Sequence, residues 1–394
     1  MIVDIADKVS GVYNVNGRFF SSKIKSLLYA TMVNQPVSFY YYDEVWDKTI
    51  ETYKYTPDVN LLDMYRIRAE QLRSQYDYLV LHFSGGSDST TVLESFILNG
   101  IKLDEVYVKW PLKLLNSQVY TPNNKDFNPT NMLSEWDFSI KPKLDWLRSV
   151  HPEIKIVVED WTDDLYQFNT NQITEELFLK HNQNFGLVNF IFSEMLSKSS
   201  MEMQERGMKV GHVYGAEKPL LVYKDESFYT YYSDASTNAV GFQHAHGKTD
   251  PTNKINFYHA VDYPELTIAR AYKMADHLTK NPGLIKLVDS ANGRLPIEVK
   301  TKFIDLFQKL CAKVLYPNWN MNNFQVDKHD LSNRLYHPWY HYVFDRPEFQ
   351  AKQTKIEQKV KDFSSGISDT YKVFDKHGNA VGFKPISTKL FKLK

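Results

Sequence analysis

With 394 residues, 43% hydrophobic and 24% charged, the chain is long enough for two domains or one large domain with additions, and its 14% of aromatic residues argue against disorder. Lys and Arg number 47, as do Asp and Glu, so no net charge draws it to an anionic membrane or to nucleic acid, which stays open only through a local basic patch. The single cysteine, Cys311, excludes an intramolecular disulfide and a Cys-rich zinc site. No window approaches the roughly 18 apolar residues of a membrane helix, and Met1-Ile2-Val3-Asp4 lacks the basic start of a signal peptide. The expectation is a soluble cytoplasmic protein with no membrane association.

Along the chain, Tyr13 to Phe19 predicts a hairpin turning at Asn16-Gly17, Val37 to Tyr42 a strand, and Leu61 to Gln75 a helix. Strands and helices then alternate: Tyr78–Phe83 (strand), Ser87–Asn99 (helix, with Gly100 past its end), Val106–Val108 (strand), Glu135–Val150 (helix), Ile154–Val158 (strand), Gly186–Glu205 (helix) and Lys209–Tyr214 (strand). Such alternation means a parallel sheet with helices on both faces. From about Gly241 helical patterns dominate, over Glu265–Thr279, Pro296–Val314 and Lys352–Asp362, before a hairpin at His377-Gly378-Asn379. The expected fold class is α/β. A small α+β region covers 1–75, an α/β core covers 76–240, and a mainly helical region covers 241–394.

One segment carries chemistry: Leu79-Val80-Leu81-His82-Phe83-Ser84-Gly85-Gly86-Ser87-Asp88-Ser89-Thr90-Thr91. A buried strand leads through two glycines and three serines into a helix. Glycines let backbone N–H groups approach a ligand closely, the helix N-terminus adds partial positive charge, and the hydroxyls of Ser84, Ser87, Ser89 and Thr90 are further donors. Together they form an anion cradle. Asp88 would repel a phosphate directly, and makes sense there as a ligand of Mg²⁺ that in turn binds phosphate oxygens. The plain structural alternative is a capped helix in which Ser84, Ser87 or Asp88 serves only as N-cap.

Ser84, Gly85, Gly86, Asp88 and Ser89 match, position by position, the Ser-Gly-Gly-x-Asp-Ser signature of the PP-loop N-type ATP pyrophosphatases, and the segment resembles that superfamily. The resemblance covers about Tyr76 to Asp234 and implies a mainly parallel doubly wound, HUP-like core. It implies ATP and Mg²⁺ as cofactors, with ATP cleaved between its α and β phosphates. AMP goes to a carboxylate or carbonyl substrate, pyrophosphate leaves, and an amine or ammonia displaces AMP. Lys109, in Val108-Lys109-Trp110 at the end of the second core strand, falls where that fold places an adenine contact.

A second candidate is Val210-Gly211-His212-Val213-Tyr214-Gly215-Ala216-Glu217-Lys218-Pro219, which follows a strand and belongs at the carboxyl edge of the sheet. It is similar to the asparagine-synthetase stretch Gly-x-Gly-Ala-Asp-Glu. Gly215 and Ala216 match, Glu217 stands for Asp and Lys218 for Glu. Lys218 would hold the leaving pyrophosphate and Glu217 would serve the metal or orient the amine; the bland reading is an exposed turn with a charge pair. Weaker candidates are Glu135 and Asp137 facing substrate, Asp160, Asp163 and Asp164 near the metal, and Asp234 lining a pocket. Gly247-Lys248-Thr249 lacks the first glycine of a Walker A loop, and His244, His246 and His259 lack acidic or Cys partners for a metal.

Absent residues narrow the class. Met1-Ile2 and the distant Cys311 leave no N-terminal catalytic cysteine of a glutaminase domain, and one cysteine cannot supply a four-Cys zinc site or a paired-Cys sulfur insertion. What remains is an amide-forming or amine-adding ligase, with a texture similar to asparagine-synthetase-like proteins of bacteriophages. Two alternatives stay open. One is a sulfur-transfer or PAPS-reductase-like enzyme of the same superfold. The other is a non-catalytic nucleotide-binding regulatory protein that kept the cradle and lost turnover.

Overall fold

The computed structural model describes residues 11–115, 133–162, 196–216, 218–234, 253–292, 297–325, 347–374, 378 and 380–393. At the N-terminal end, β1 (Val12–Val15) and β2 (Arg18–Phe20) form an antiparallel hairpin. Its turn residues Asn16 and Gly17 have φ of 48° and 81°, the left-handed pair that a two-residue hairpin turn requires. β3 (Ser38–Tyr40) completes a three-stranded sheet. α1 (Lys23–Val33) starts where the Ser22 side chain accepts from the Lys25 amide and stops at Asn34 in the left-handed region. α2 (Asp43–Thr52) and α3 (Leu61–Gln75), the latter capped by Asn60, lead into the core.

The core runs β4 (Tyr78–His82), α4 (Ser87–Ile97), β5 (Glu105–Trp110), α5 (Leu112–Leu115), α6 (Lys141–Val150), β6 (Lys155–Asp160), α7 (Lys198–Glu205) and β7 (Val210–Tyr214). A hairpin of β8 (Leu220–Lys224) and β9 (Ser227–Tyr231) follows, and then β10 (Asn253–Asn256). The sheet order is β10-β7-β4-β5-β6 and every neighbouring pair is parallel. From β4 the chain moves outward to β5 and β6, then returns to β7 on the other side of β4. Successive side chains of a strand point to opposite faces. Leu79, Leu81, Val106, Val108 and Val213 therefore join one core with Leu72, Leu93, Phe96 and Leu144, from α3, α4 and α6. Val80, Tyr107 and Val210 pack on the opposite face against Met203 of α7.

The C-terminal part comprises α8 (Pro264–Lys280), α9 (Ile285–Asn292), α10 (Ile297–Leu315), α11 (Pro347–Ser364), the antiparallel pair β11 (Lys372–Phe374) and β12 (Ala380–Phe383), and β13 (Phe391–Lys392). α8 packs on α2 and α3, and α10 packs on α8. No helix among the described residues is long and apolar enough to cross a membrane.

Two expectations need correction. The core does not end near residue 240, because β10 is the fifth strand of the parallel sheet; it is short and polar (Asn-Lys-Ile-Asn), so no strand pattern marks it. The helix expected over Glu135–Val150 opens with a π-helical turn, Trp136–Ile140, before α6. The aromatic run Phe228–Tyr232 is mostly β9, in a second sheet of order β13-β9-β8. Within the helix expected over Gly186–Glu205, α7 is described and residues 186–195 lie outside the described residues.

The two ends of the chain meet at Asp234, which is fully buried. Its carboxylate takes the Lys23 ammonium at 2.7 Å, the Tyr13 hydroxyl at 3.1 Å and the Ile386 amide at 2.9 Å, with Lys23 and Asp234 both buried. The backbone pair Asp234 N to Ile386 O, at 3.0 Å, closes the same joint.

Candidate functional site

Strand order reverses between β4 and β7, since the chain leaves β4 toward β5 and later returns to its other side. Ligands of open parallel sheets bind outside the carboxyl ends of the strands at such a point. The loops after β4 and β7 flank it.

After β4 the chain turns at Gly85, whose φ of +78° suits glycine. A Cβ there would also lie 2.7 Å from Ile140 Cγ1 and 3.0 Å from Ser139 Oγ. The π-helical turn thus packs directly on the loop, and the Ser139 hydroxyl donates to the Gly85 carbonyl. Gly86 is the N-cap of α4 and offers no side-chain cap, so the first-turn amides of α4 are left for another acceptor. Two of the expected donors are instead tied into the loop itself. Ser89 Oγ donates to the Gly86 carbonyl at 3.3 Å and lies 3.2 Å from Ser84 Oγ, and Thr90 Oγ1 donates to the Gly85 carbonyl at 3.4 Å. Ser84 is exposed. Ser87 is 1% exposed, and its hydroxyl has no hydrogen-bond partner among the described residues.

After β7, Gly215 lies against the first turn of α4. A Cβ at Gly215 would be 2.9 Å from both the Cα and the amide nitrogen of Ser89. This contact brings the following Lys218 to Asp88: the ammonium pairs with Oδ2 of the carboxylate. Lys218 is 6% exposed in its side chain and Asp88 22%. Glu217 lies outside the described residues. Lys109 sits at the carboxyl end of β5, half-buried and in register with Glu159 of β6, two residues beyond Tyr107, which pairs with His82 of β4.

Asp88 is the centre of a network that the sequence alone did not disclose. The Tyr316 hydroxyl donates to Oδ1, Arg270 Nη2 donates to the Tyr316 oxygen at 2.9 Å, and the Tyr258 hydroxyl donates to the Asp88 carbonyl at 2.8 Å. The Arg270 guanidinium lies 3.9 Å from the centre of the Tyr258 ring. Burial works against ionised Asp88, but Lys218, Tyr316 and Arg270 outweigh it and hold the carboxyl below its usual range. One signal was legible: Arg270 interrupts the buried stripe Leu266, Ala269 and Met274 of α8, and a buried arginine needs partners.

Other candidates fall elsewhere. Glu135, just before the π-helical turn, is buried, and Asp137, within it, is exposed. Asp160 accepts from the amides of Leu112 at 3.1 Å and Thr162 at 2.9 Å, a capping role. His259 is buried beside Tyr232. Asp163, Asp164, His244, His246 and residues 247–249 lie outside the described residues. Cys311 is buried in α10 and burial pushes its thiol up to about 12. Among the described residues no group of three or more His, Cys, Asp or Glu is placed to hold a metal.

The two loops therefore bring together helix amides without a side-chain cap, a lysine and a carboxylate, groups that can hold a phosphate or its counter-ion. No protein-family model, curated protein or solved structure matches the chain.

Proposed function

We propose that the crevice between Ser84–Thr90 and Gly215–Lys218 binds ATP with Mg²⁺, and that the chain is a cytoplasmic AMP-forming ligase on a doubly wound PP-loop core. The single observation that carries this reading is the Lys218–Asp88 pair at the point where strand order reverses. Two loops 130 residues apart bring together the cation and the carboxylate that a metal–triphosphate needs. The residues fit the ligand: the first-turn amides of α4 have no side-chain cap and can donate to phosphate oxygens. Asp88 suits Mg²⁺, which commonly takes one or two carboxylates plus phosphate oxygens.

In this reading Lys218 leaves Asp88 for the β or γ phosphate, and its charge stabilises departing pyrophosphate. Bound Mg²⁺ would neutralise further charge on the phosphates. A substrate carboxylate or carbonyl oxygen attacks the α phosphorus, the bond to pyrophosphate breaks, and an amine or ammonia then displaces AMP and loses a proton. Glu217 orients that amine. The sulfur-transfer alternative needs a reactive thiol, and the buried, weakly acidic Cys311 does not supply one.

A second reading also has an observation behind it. Both oxygens of Asp88 are engaged, one by Lys218 and one by Tyr316. If that state persists with nucleotide bound, the chain binds ATP without metal or turnover. Isothermal titration with ATP and Mg²⁺, followed by chromatography of α-labelled ATP incubated with carboxylic acids and ammonia, separates the readings. AMP formation supports the ligase, and metal-independent binding without AMP supports the regulatory module. Absence of ATP binding sinks both, and wild-type affinity in Asp88→Ala sinks the metal role of Asp88.

A further inference from the structure

Asp88 is held from two sides by groups of different character. Lys218 lies on a loop and has a long flexible stem. On the other side, Tyr316 is 1% and Arg270 0% exposed, so neither side chain reaches a ligand in the crevice. The backbone before Tyr316 is fixed as well, because the Tyr65 hydroxyl donates to the Leu315 carbonyl at 2.8 Å. The direction of the chain of bonds is set by chemistry. A guanidinium has donors only, so Arg270 donates to the Tyr316 oxygen, and the phenol's one proton goes to Asp88. Arg270 in turn lies over the Tyr258 ring, whose hydroxyl holds the Asp88 carbonyl. Backbone and side chain of Asp88 are thus clamped by residues of α8, of the segment before it and of the end of α10.

Resting on the reading of the crevice as a magnesium–ATP site, we infer that Tyr316, backed by Arg270, is a positioning residue for the metal. It pins Oδ1 of Asp88, so that Oδ2 is the oxygen released to the metal when Lys218 moves to a phosphate. The C-terminal helices are then part of the nucleotide site and not an appended substrate domain. Groups that orient a metal ligand typically change metal affinity by about 10- to 100-fold when removed.

Tyr316→Phe removes one hydroxyl and keeps the ring. ATP affinity is measured calorimetrically over a series of Mg²⁺ concentrations and again in EDTA, with melting temperature alongside. The expected result is a rise of about tenfold in the Mg²⁺ concentration for half-maximal ATP binding, with affinity in EDTA and melting temperature close to wild type. Lys218→Met should weaken ATP in both conditions. An unchanged Mg²⁺ dependence in Tyr316→Phe overturns the inference, as does a fall in both affinities together with the melting temperature, the mark of a merely structural role. If Tyr316→Phe does not fold, Arg270→Lys, which keeps the charge and shortens the reach, is read by the same criteria. A wild type that binds no ATP removes the proposed function and this inference with it, whereas wild-type binding with an indifferent Tyr316→Phe removes the inference alone.

Discussion

Among the described residues, two aspartate–lysine pairs whose lysine is buried are built for different ends. Lys23 and Asp234 are 1% and 0% exposed in their side chains, and the Tyr13 hydroxyl and Ile386 amide occupy the rest of the carboxylate. Three distant stretches of chain converge there, so the pair is a joint. Lys218 and Asp88 are 6% and 22% exposed, at the carboxyl edge of the parallel sheet. Breaking either pair strands a charge. Only at the second can an incoming ligand replace the lost partner, with a phosphate for the lysine and a cation for the aspartate. A buried ion pair is weak evidence of stability, and its access to solvent separates a joint from a site.

The largest expected effect tests the joint. Asp234→Ala leaves the Lys23 ammonium buried and unpaired and should cost about 3–5 kcal/mol, read by calorimetric melting, while ATP binding by the folded fraction persists below the transition. Melting like wild type would mean that water reaches Lys23 and that the contrast is false.

Next comes the contact that sets the open pair. Gly215→Ala drives a Cβ to within 2.9 Å of the Ser89 backbone. Such overpacking typically costs about 1–3 kcal/mol, and it should displace Lys218, so ATP affinity should fall with stability. Gly283→Ala, whose Cβ would meet nothing within 4 Å, is the control and should do neither. Equal behaviour of the two variants in chemical denaturation would remove the packing argument.

Lys218→Met should lower ATP affinity by about 1–3 kcal/mol through loss of a charge-assisted hydrogen bond, measured by titration. Its melting temperature should move less than that of Asp234→Ala, because Asp88 can be solvated from the crevice. The reverse order of the two melting shifts would make Lys218–Asp88 the joint instead.

The smallest effect concerns His259, sealed behind the pair. Burial first, then the Arg270 charge, lowers its pKa from 6.5 to about 3, against an opposing pull from Asp88. Below pH 6.5 the unfolded chain takes up a proton that the folded chain refuses, so stability falls as pH drops toward about 3. The slope from this group approaches about 1.4 kcal/mol per pH unit. Urea unfolding at pH 7 and pH 5 should show that loss in the wild type and a smaller one in His259→Gln. An identical loss in both would place the acid sensitivity elsewhere.

Sequence by itself determined the local elements of the core. The apolar run Tyr78–His82, the glycine turn and the helical spacing after Ser87 are short-range patterns, written in covalent neighbours, and they appear within a residue or two of expectation. The hairpin at Asn16-Gly17 was legible for the same reason: few residues other than Asn and Gly accept its backbone angles. Parallel pairing followed from alternation of strands and helices. The β8–β9 hairpin was not read, because its turn is Asp225-Glu226, two left-handed residues with no glycine. β10 was missed because a four-residue polar strand gains its place from its neighbour β7 and not from its own pattern. Only tertiary structure decided what surrounds Asp88. Lys218 is 130 residues away in the chain and Tyr316 is 228 away. No periodicity links them, since an ion pair or a buried phenol is selected by burial and shape where distant segments pack. Asp88 was visible as a carboxylate in a phosphate-type loop, but the partners that hold its charge and aim its oxygens exist only once α8 and α10 have closed over the sheet.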